Sequence, residues 1–238
     1  MYQEITRKKK ILENRKPYPV EVSNYLQELD SLDFIYSILF LDGSNAKRDD
    51  VQAIIRGDIR ENVSVSDHTT IAKYRQGIEE IRFMVDIHTD LTEKSLFQIY
   101  EAMYKPFVQG YRKSNPVIEE IDYRPPHFFE IEEQMQVLFY WLYSNGEGEN
   151  PIVRAAQLHN RIIEIYPFEN DSLAMARIVA QYYLLRHGFP FIPWDVGIKQ
   201  YHSAIMKYLD NEEYQPIYQI LESGIYNKME LLLQLTLE

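Results

Sequence analysis

The six histidines, His68, His88, His127, His159, His187 and His202, never stand three or four residues apart, so no helical pair of metal ligands forms. The chain has no cysteine, which excludes disulfides, thiolate zinc sites and cysteine nucleophiles. It has neither common type of glycine-rich phosphate loop, no HExxH and no GxSxG elbow. Its concentrated candidate is Ile165-Tyr-Pro-Phe-Glu-Asn-Asp-Ser-Leu-Ala-Met-Ala-Arg177, with Pro151–His159 before it and Leu184–Pro190 after it. His159 lies seven before Tyr166 on a stripe with Ile152, Ala155, Ala156, Ile162 and Ile163. That setting describes a packed, hydrogen-bonded histidine rather than a relocated general base. Arg177 stands four after Leu173, three before Ala180 and seven before Leu184, close to an apolar stripe. A guanidinium there needs a partner, because an unpaired buried charge costs several kcal/mol. Tyr166, Tyr182, Tyr183, Phe189, Phe191, Trp141 and Trp194 are expected to pack.

These residues sit in a helix, a tight loop and a second helix, and helical periodicity dominates the chain. Ile71, Tyr74, Ile78, Ile81 and Val85 recur in steps of three and four. Similar stripes cover Leu91–Val108, Ile131–Tyr143, Ile152–Tyr166, Leu173–His187, Ile198–Leu209 and Tyr214–Leu237, the last with a break expected near Gly224. The best strand candidate is Pro116–Tyr123, ended by Pro125-Pro126. Asn145–Pro151 is a turn cluster. A mainly α chain with one short hairpin follows.

With 238 residues, 45% of them apolar and 26% charged, the chain can bury a sizeable core. A net charge of −11 argues against nucleic-acid binding through bulk charge. No apolar run is long enough to cross a bilayer, and no export signal follows the basic Met1–Lys16, so a cytoplasmic protein without membrane contact is expected. The basic arm is expected to be solvated or docked on its own acidic body.

The loop and its flanks resemble the core of Fic-domain proteins, the fold of protein AMP-transferases. That family's signature runs His-Pro-Phe-x-Asp/Glu-Gly-Asn-Gly-Arg-x-x-Arg, with Ala-x-x-His before it and Leu-x-x-x-Gly-x-Pro after it. Gly110-Tyr111-Arg112 and Tyr123-Arg124-Pro125-Pro126 look like the family's flap hairpin, Met135–Leu142 like the helix that follows it, and Tyr201-His-Ser-Ala-Ile like its downstream tyrosine helix. The resemblance covers about Leu32–Leu209. It implies a Fic-type helical domain with a short β-hairpin flap and an N-terminal helical extension. The expected divisions are a basic arm and helical extension over 1–68, a core over 69–210 and a C-terminal helical segment over 211–238.

The signature is degenerate. Tyr166 stands at the catalytic histidine, ahead of matching Pro167 and Phe168; Asn170 replaces the acidic residue. Asp171, Ser172 and Leu173 replace Gly-Asn-Gly, Ala174 replaces the first arginine, and Arg177 keeps the second. The family's histidine takes a proton from a target hydroxyl as it attacks the nucleotide α-phosphate. Tyrosine, with a pKa of about 10, is a poor base at neutral pH, a loss worth roughly 10²–10⁴ in rate. Asn170 offers magnesium one neutral oxygen. Leu173 resists the positive φ that glycine accepts, and Asp171 brings a carboxylate to the anion seat, where it is expected to cap the following helix.

The resemblance also places Ile38-Leu-Phe-Leu-Asp42-Gly43 where many members carry an inhibitory helix whose glutamate pairs with the surviving arginine. An Asp42–Arg177 clasp is one expectation; Arg177 paired to Glu169 or Asp171, with Asp42 solvated, is the other. The function implied is a catalytically inactive Fic-fold protein that works by binding a protein or ligand, with no cofactor. ATP and magnesium belong to the alternative, residual adenylyl transfer to a protein hydroxyl; an oligomerising subunit is a third reading. An unidentified partner is expected to dock as an added strand at the flap edge, around Asn115, Val117, Ile118 and Tyr123.

Overall fold

A computed structural model describes residues 1–104, 110–144 and 149–236 of the chain. Ten helices occur among them: α1 (Tyr2–Asn14), α2 (Val20–Leu41), α3 (Arg48–Ile55), α4 (Val65–Asp86), α5 (Glu93–Tyr104), α6 (Ile131–Ser144), α7 (Pro151–Ile165), α8 (Ser172–Arg186), α9 (Ile198–Asn211) and α10 (Gln215–Leu235). Glu119–Ile121 and Phe128–Glu130 are 3₁₀ turns. Residues 105–109, 145–148 and 237–238, which hold the end of the Leu91–Val108 stripe, part of the Asn145–Pro151 turn cluster and Leu237, lie outside the described residues. No described helix is long and apolar enough to cross a membrane.

The α7–α8 pair forms the centre of the fold. Helix α8 is apolar all round (Ala174, Met175, Ala176, Ile178, Val179, Ala180, Tyr182 and Leu184 are all buried), as a helix with neighbours on every side must be. Its three alanines permit close approach. Helix α7 starts at Asn150, whose Oδ1 accepts the Ile152 N–H at 2.9 Å, with Pro151 pre-set for the first turn. Helix α8 ends in a Schellman turn: Phe189 N–H donates to Leu184 C=O at 3.0 Å and Gly188 N–H to Leu185 C=O at 2.9 Å, with Gly188 at φ +73°. Helix α4 packs on α8, with α2 and α5 packed against α4, and α9 and α10 pack beside α7. Helix α4 begins at Val65 and so runs across the expected boundary at 68/69.

The N-terminal arm is a docked helix. Lys8 is buried against Glu230, Lys9 Nζ donates to His187 C=O at 2.6 Å, and Arg15 Nη1 donates to Leu233 C=O at 2.8 Å. Lys9 and Arg15 thereby reach carbonyls at the C-terminal ends of α8 and α10, where helices leave acceptors free.

Two sequence expectations are corrected. Helix α10 is continuous through Gly224, because that glycine serves a close crossing: a Cβ there would lie 3.4 Å from Ile192 Cδ1 and from the Pro193 carbonyl oxygen. The β-hairpin flap is absent among the described residues. Only one bridge forms, Ile118 N–H to Tyr123 C=O at 2.8 Å and Tyr123 N–H to Ile118 C=O at 3.1 Å, around the Glu119–Ile121 turn. The next hydrogen-bonded pair outward would be Pro116 with Pro125, and neither has an N–H to give.

Candidate active-site loop between α7 and α8

Tyr166 ends α7 in the left-handed region (φ 50°, ψ 60°), its N–H still bonded to Ile162 C=O at 2.9 Å. That turn throws the chain into the loop Pro167–Asp171, and Arg112 holds it there. Arg112 is buried: its backbone N–H donates to Pro167 C=O at 2.9 Å and its Nε to Tyr166 C=O at 2.7 Å. Its Nη1 reaches Ser114 C=O at 2.6 Å and its Nη2 Pro126 C=O at 2.5 Å. One guanidinium therefore ties the flap segment to the loop through carbonyls on both, the rigid fork geometry that lysine cannot reproduce. Burial pulls its pKa down.

Phe168 is buried and stacks on Tyr100, ring centroids 4.0 Å apart. Ser172 Oγ accepts the Phe168 N–H at 3.0 Å and returns a bond to Phe168 C=O at 3.1 Å. The Asn170 N–H donates to the Tyr100 hydroxyl at 3.3 Å. Two loop amides are thus satisfied by the chain's own hydroxyls.

The expected role of Asp171 needs correction: its side chain makes no cap bond to α8. It occupies the N-cap position at φ 53°, and its backbone carbonyl accepts Met175 N–H at 2.8 Å. The carboxylate turns outward and is held by Lys73 Nζ and the Tyr104 hydroxyl, themselves 3.0 Å apart. A lysine charge outcompetes a neutral helix N–H for a carboxylate, because both members of the pair are ionised. Leu173 carries no strain, since it lies within α8 and the positive φ falls on Asp171 instead. Ala174 is buried and gives the site no donor beyond its backbone.

Arg177 and Asp42 meet. Arg177, fully buried in the second turn of α8, forms an ion pair with the Asp42 carboxylate at the C-terminus of α2. Asp42 Oδ2 accepts the Tyr74 hydroxyl at 2.8 Å. Burial pulls the Arg177 pKa down, but the charge and hydrogen bond of Asp42 together with Tyr201 and Tyr74 outweigh it and the net shift is upward; burial, then Asp42, raises Tyr74. Arg177 Nε and Nη1 are buried without a hydrogen-bond partner among the described residues, and its guanidinium lies 5.3 Å from the Tyr201 ring centre. Glu169 takes no part: Lys113 N–H donates to it at 3.1 Å, and hydrogen bonding from Ser114 leads the lowering of its pKa.

His159 is fully buried between Asn160 Oδ1 at 3.1 Å and the Tyr201 hydroxyl at 2.8 Å, with its ring 4.9 Å from that of Trp194. Burial drives its pKa down to about 3, so the ring is neutral at physiological pH. Tyr166 is pushed up to about 12, first by burial and then by Glu120, Asp171 and Asp42. In the flap segment, Asn115 Oδ1 accepts Phe128 N–H at 2.9 Å and the Tyr123 hydroxyl donates to Glu164 C=O at 2.9 Å. Ile118 is buried while Val117 is exposed.

Sequence reading missed Lys73, Tyr74, Tyr100 and Tyr104, and took Arg112 only as part of a flap-like tripeptide. Lys73 and Tyr104 lie 98 and 67 residues from Asp171, so no local pattern connects them. Arg112 lacked an acidic neighbour to mark it, because its partners are carbonyls.

A helical chain built round this helix–loop–helix has the Fic fold. It superposes with a TM-score of 0.79 on a Fic domain containing signaling protein from Bacteroides thetaiotaomicron, at 20% identity over 98% of this chain and 96% of that one. Fic-1 from C. elegans matches with a TM-score of 0.79 at 14% identity, over 98% of this chain and 70% of that one. A Fic family protein from Desulfovibrio desulfuricans G20 gives 0.71 at 16% identity, over 96% and 74%. Residues 90–184, from just before α5 through most of α8, match the Fic/DOC family model. No curated protein matches the chain's sequence at a significant level.

Proposed function

We propose that this chain is a Fic-fold pseudoenzyme that works by binding rather than by transferring nucleotide. The observation that carries the reading is that the charged side chains and two amides of the α7–α8 loop are engaged by the chain's own groups. Asp171 is engaged by Lys73 and Tyr104, the Phe168 and Asn170 amides by Ser172 and Tyr100, and Arg177 by Asp42. A phosphate arriving there would displace these contacts and meet the Asp42, Asp171 and Glu120 carboxylates around Tyr166. At a pKa of about 12, Tyr166 is protonated at neutral pH and cannot accept a proton from an attacking hydroxyl.

The residues present do not fit a magnesium triphosphate. Asn170 supplies a neutral oxygen where a hard cation favours carboxylate. The adjoining Asp171 carboxylate already balances Lys73, and no group of three or more potential ligands forms a metal site among the described residues. No reaction step is therefore assigned to the loop.

The flap segment is also a poor edge for strand addition, since Pro116 and Pro125 leave a single bridge. Binding is more reasonably sought on other faces.

Incubation with ATP labelled at the α-phosphate, magnesium and a cell lysate tests the proposal. Neither the chain nor a lysate protein is expected to take label above a sample lacking the chain. Label that depends on the chain and is lost in Arg177→Met would restore adenylyl transfer as the function.

A further inference from the structure

Helix α6 buries Ile131, Met135, Leu138 and Leu142 against the core. Its opposite side continues a helical spacing from the preceding 3₁₀ turn through Phe129, Glu133, Val137 and Tyr140. Phe129 is 68% exposed, Val137 54% and Tyr140 76%. Single exposed apolar residues need no explanation, but Val137 and Tyr140 on α6 and Phe129 on the turn before it, at helical spacing, form a ridge. A groove lies on each flank. One, of about 620 Å³, is lined by Glu93, Gln136, Phe139, Tyr140 and Tyr143. The other, of about 530 Å³, is lined by Glu130, Glu133, Val137, Arg161 and Glu164.

The charge along these grooves is one-sided. Glu93, Glu130, Glu133 and Glu164 face them, against Arg161 alone. The Arg161 guanidinium lies 5.4 Å from the Trp141 ring centre. Two of the carboxylates are held in place: Glu93 accepts the Tyr111 hydroxyl at 2.7 Å and Glu164 the Tyr208 hydroxyl at 3.0 Å. Glu130 and Glu133 have no ion-pair partner among the described residues.

We infer that this face of α6 docks a cationic amphipathic helix of another protein, with its apolar residues against Tyr140, Val137 and Phe129 and its lysines or arginines against the acidic banks. An aromatic and aliphatic ridge between two grooves suits a helix read by anchors three, four and seven apart, and carboxylates on both banks select positive charge. A second copy of the chain would bring the same carboxylates against themselves, at a net charge of −11 for each molecule. An anionic membrane surface is disfavoured on the same ground. The ridge shares no residue with the α7–α8 loop, so it stands whether or not that loop transfers nucleotide.

The test uses the full chain and a fluorescent, amidated fifteen-residue helical peptide of leucine and lysine, with a leucine and glutamate peptide of the same pattern, in polarisation titrations at 150 mM salt. The leucine–lysine peptide is expected to bind saturably and the leucine–glutamate peptide not to bind. Tyr140→Ala and Glu133→Lys should each weaken binding at least fivefold. Glu213→Lys, the same charge change just beyond α9, should leave it within twofold. All three residues are exposed, and unchanged melting temperatures would establish that the variants are folded. The inference is overturned if the leucine–lysine peptide does not saturate, if Tyr140→Ala leaves its affinity unchanged, or if Glu213→Lys weakens it as much as Glu133→Lys. Equal binding of the leucine–glutamate peptide would also overturn it. So would sedimentation of the chain alone as a dimer that Tyr140→Ala dissociates, since the second copy would then own the face.

Discussion

Removing the Asp42 carboxylate should cost far more than removing the arginine it faces. Arg177 is 0% exposed at its side chain and Asp42 30%. Asp42→Ala leaves a guanidinium enclosed in the core with neither its counter-charge nor water. Breaking a buried pair this way costs about 3–5 kcal/mol, and the partial exposure of Asp42 places this one near the lower end, about 3 kcal/mol. The Tyr74 hydroxyl loses its acceptor as well. Arg177→Met instead removes the buried charge together with its unpartnered Nε and Nη1, and leaves Asp42 able to reach solvent and Tyr74. That change should cost under about 1.5 kcal/mol, because an apolar side chain of similar volume often replaces a buried ion without loss. The double variant should recover most of what Asp42→Ala loses, a coupling of about 2 kcal/mol. For a chain of this size, 3 kcal/mol corresponds to a fall in Tm of about 6–12 °C. Urea and thermal unfolding of the wild type, both single variants and the double variant measure these quantities. An Asp42→Ala loss below about 0.5 kcal/mol, or an Arg177→Met loss equal to it, would refute the reasoning from asymmetric burial.

His159 predicts a pH dependence with a definite sign. Its folded pKa of about 3 lies below the unfolded value of 6.5, so the unfolded chain binds the extra proton and stability falls as pH drops below 6.5. By pH 4.5 the loss is on the order of 2 kcal/mol, and His159→Gln should flatten that part of a Tm-against-pH curve. Arg112→Lys should leave several carbonyls unmet and cost about 2–3 kcal/mol, with amide exchange accelerated first over residues 112–126. Tyr166→His should restore no label transfer from ATP, because a base alone does not supply the missing anion seat and metal ligand; transfer by that single variant would show that the remaining loop is competent.

Helical periodicity made most of the fold legible. The stripes of α4, α7 and α9 announce themselves because each buries one face more than the other, whereas α8, read as one more stripe, is buried on nearly all sides. The flap was misread because Val117, Ile118 and Ile121 suggest a strand, whereas the prolines that block its ladder act as a pair only once Pro116 and Pro125 are opposite each other. Gly224 illustrates the same limit: a glycine in a helical pattern can mark a break or a close crossing, and only the neighbouring Ile192–Pro193 segment decides. The need of Arg177 for a counter-charge follows from its spacing. Which carboxylate answers it depends on packing across 135 residues, and the structure puts Asp42 there. Asp171 was taken as a cap because local rules see the helix N-terminus and cannot see Lys73 and Tyr104 arriving from α4 and α5.

The most direct measurement follows the backbone amides of Phe168, Asn170, Ser172, Leu173 and Ala174 by NMR while ATP and magnesium are added to millimolar concentration. The Phe168 and Asn170 amides, already bonded to Ser172 and Tyr100, and the first-turn amides of α8 beside the Asp171 carboxylate should stay within the small, non-saturating drift seen with magnesium chloride alone. Saturable, magnesium-dependent shifts centred on those five amides would mean that the loop receives a triphosphate after all.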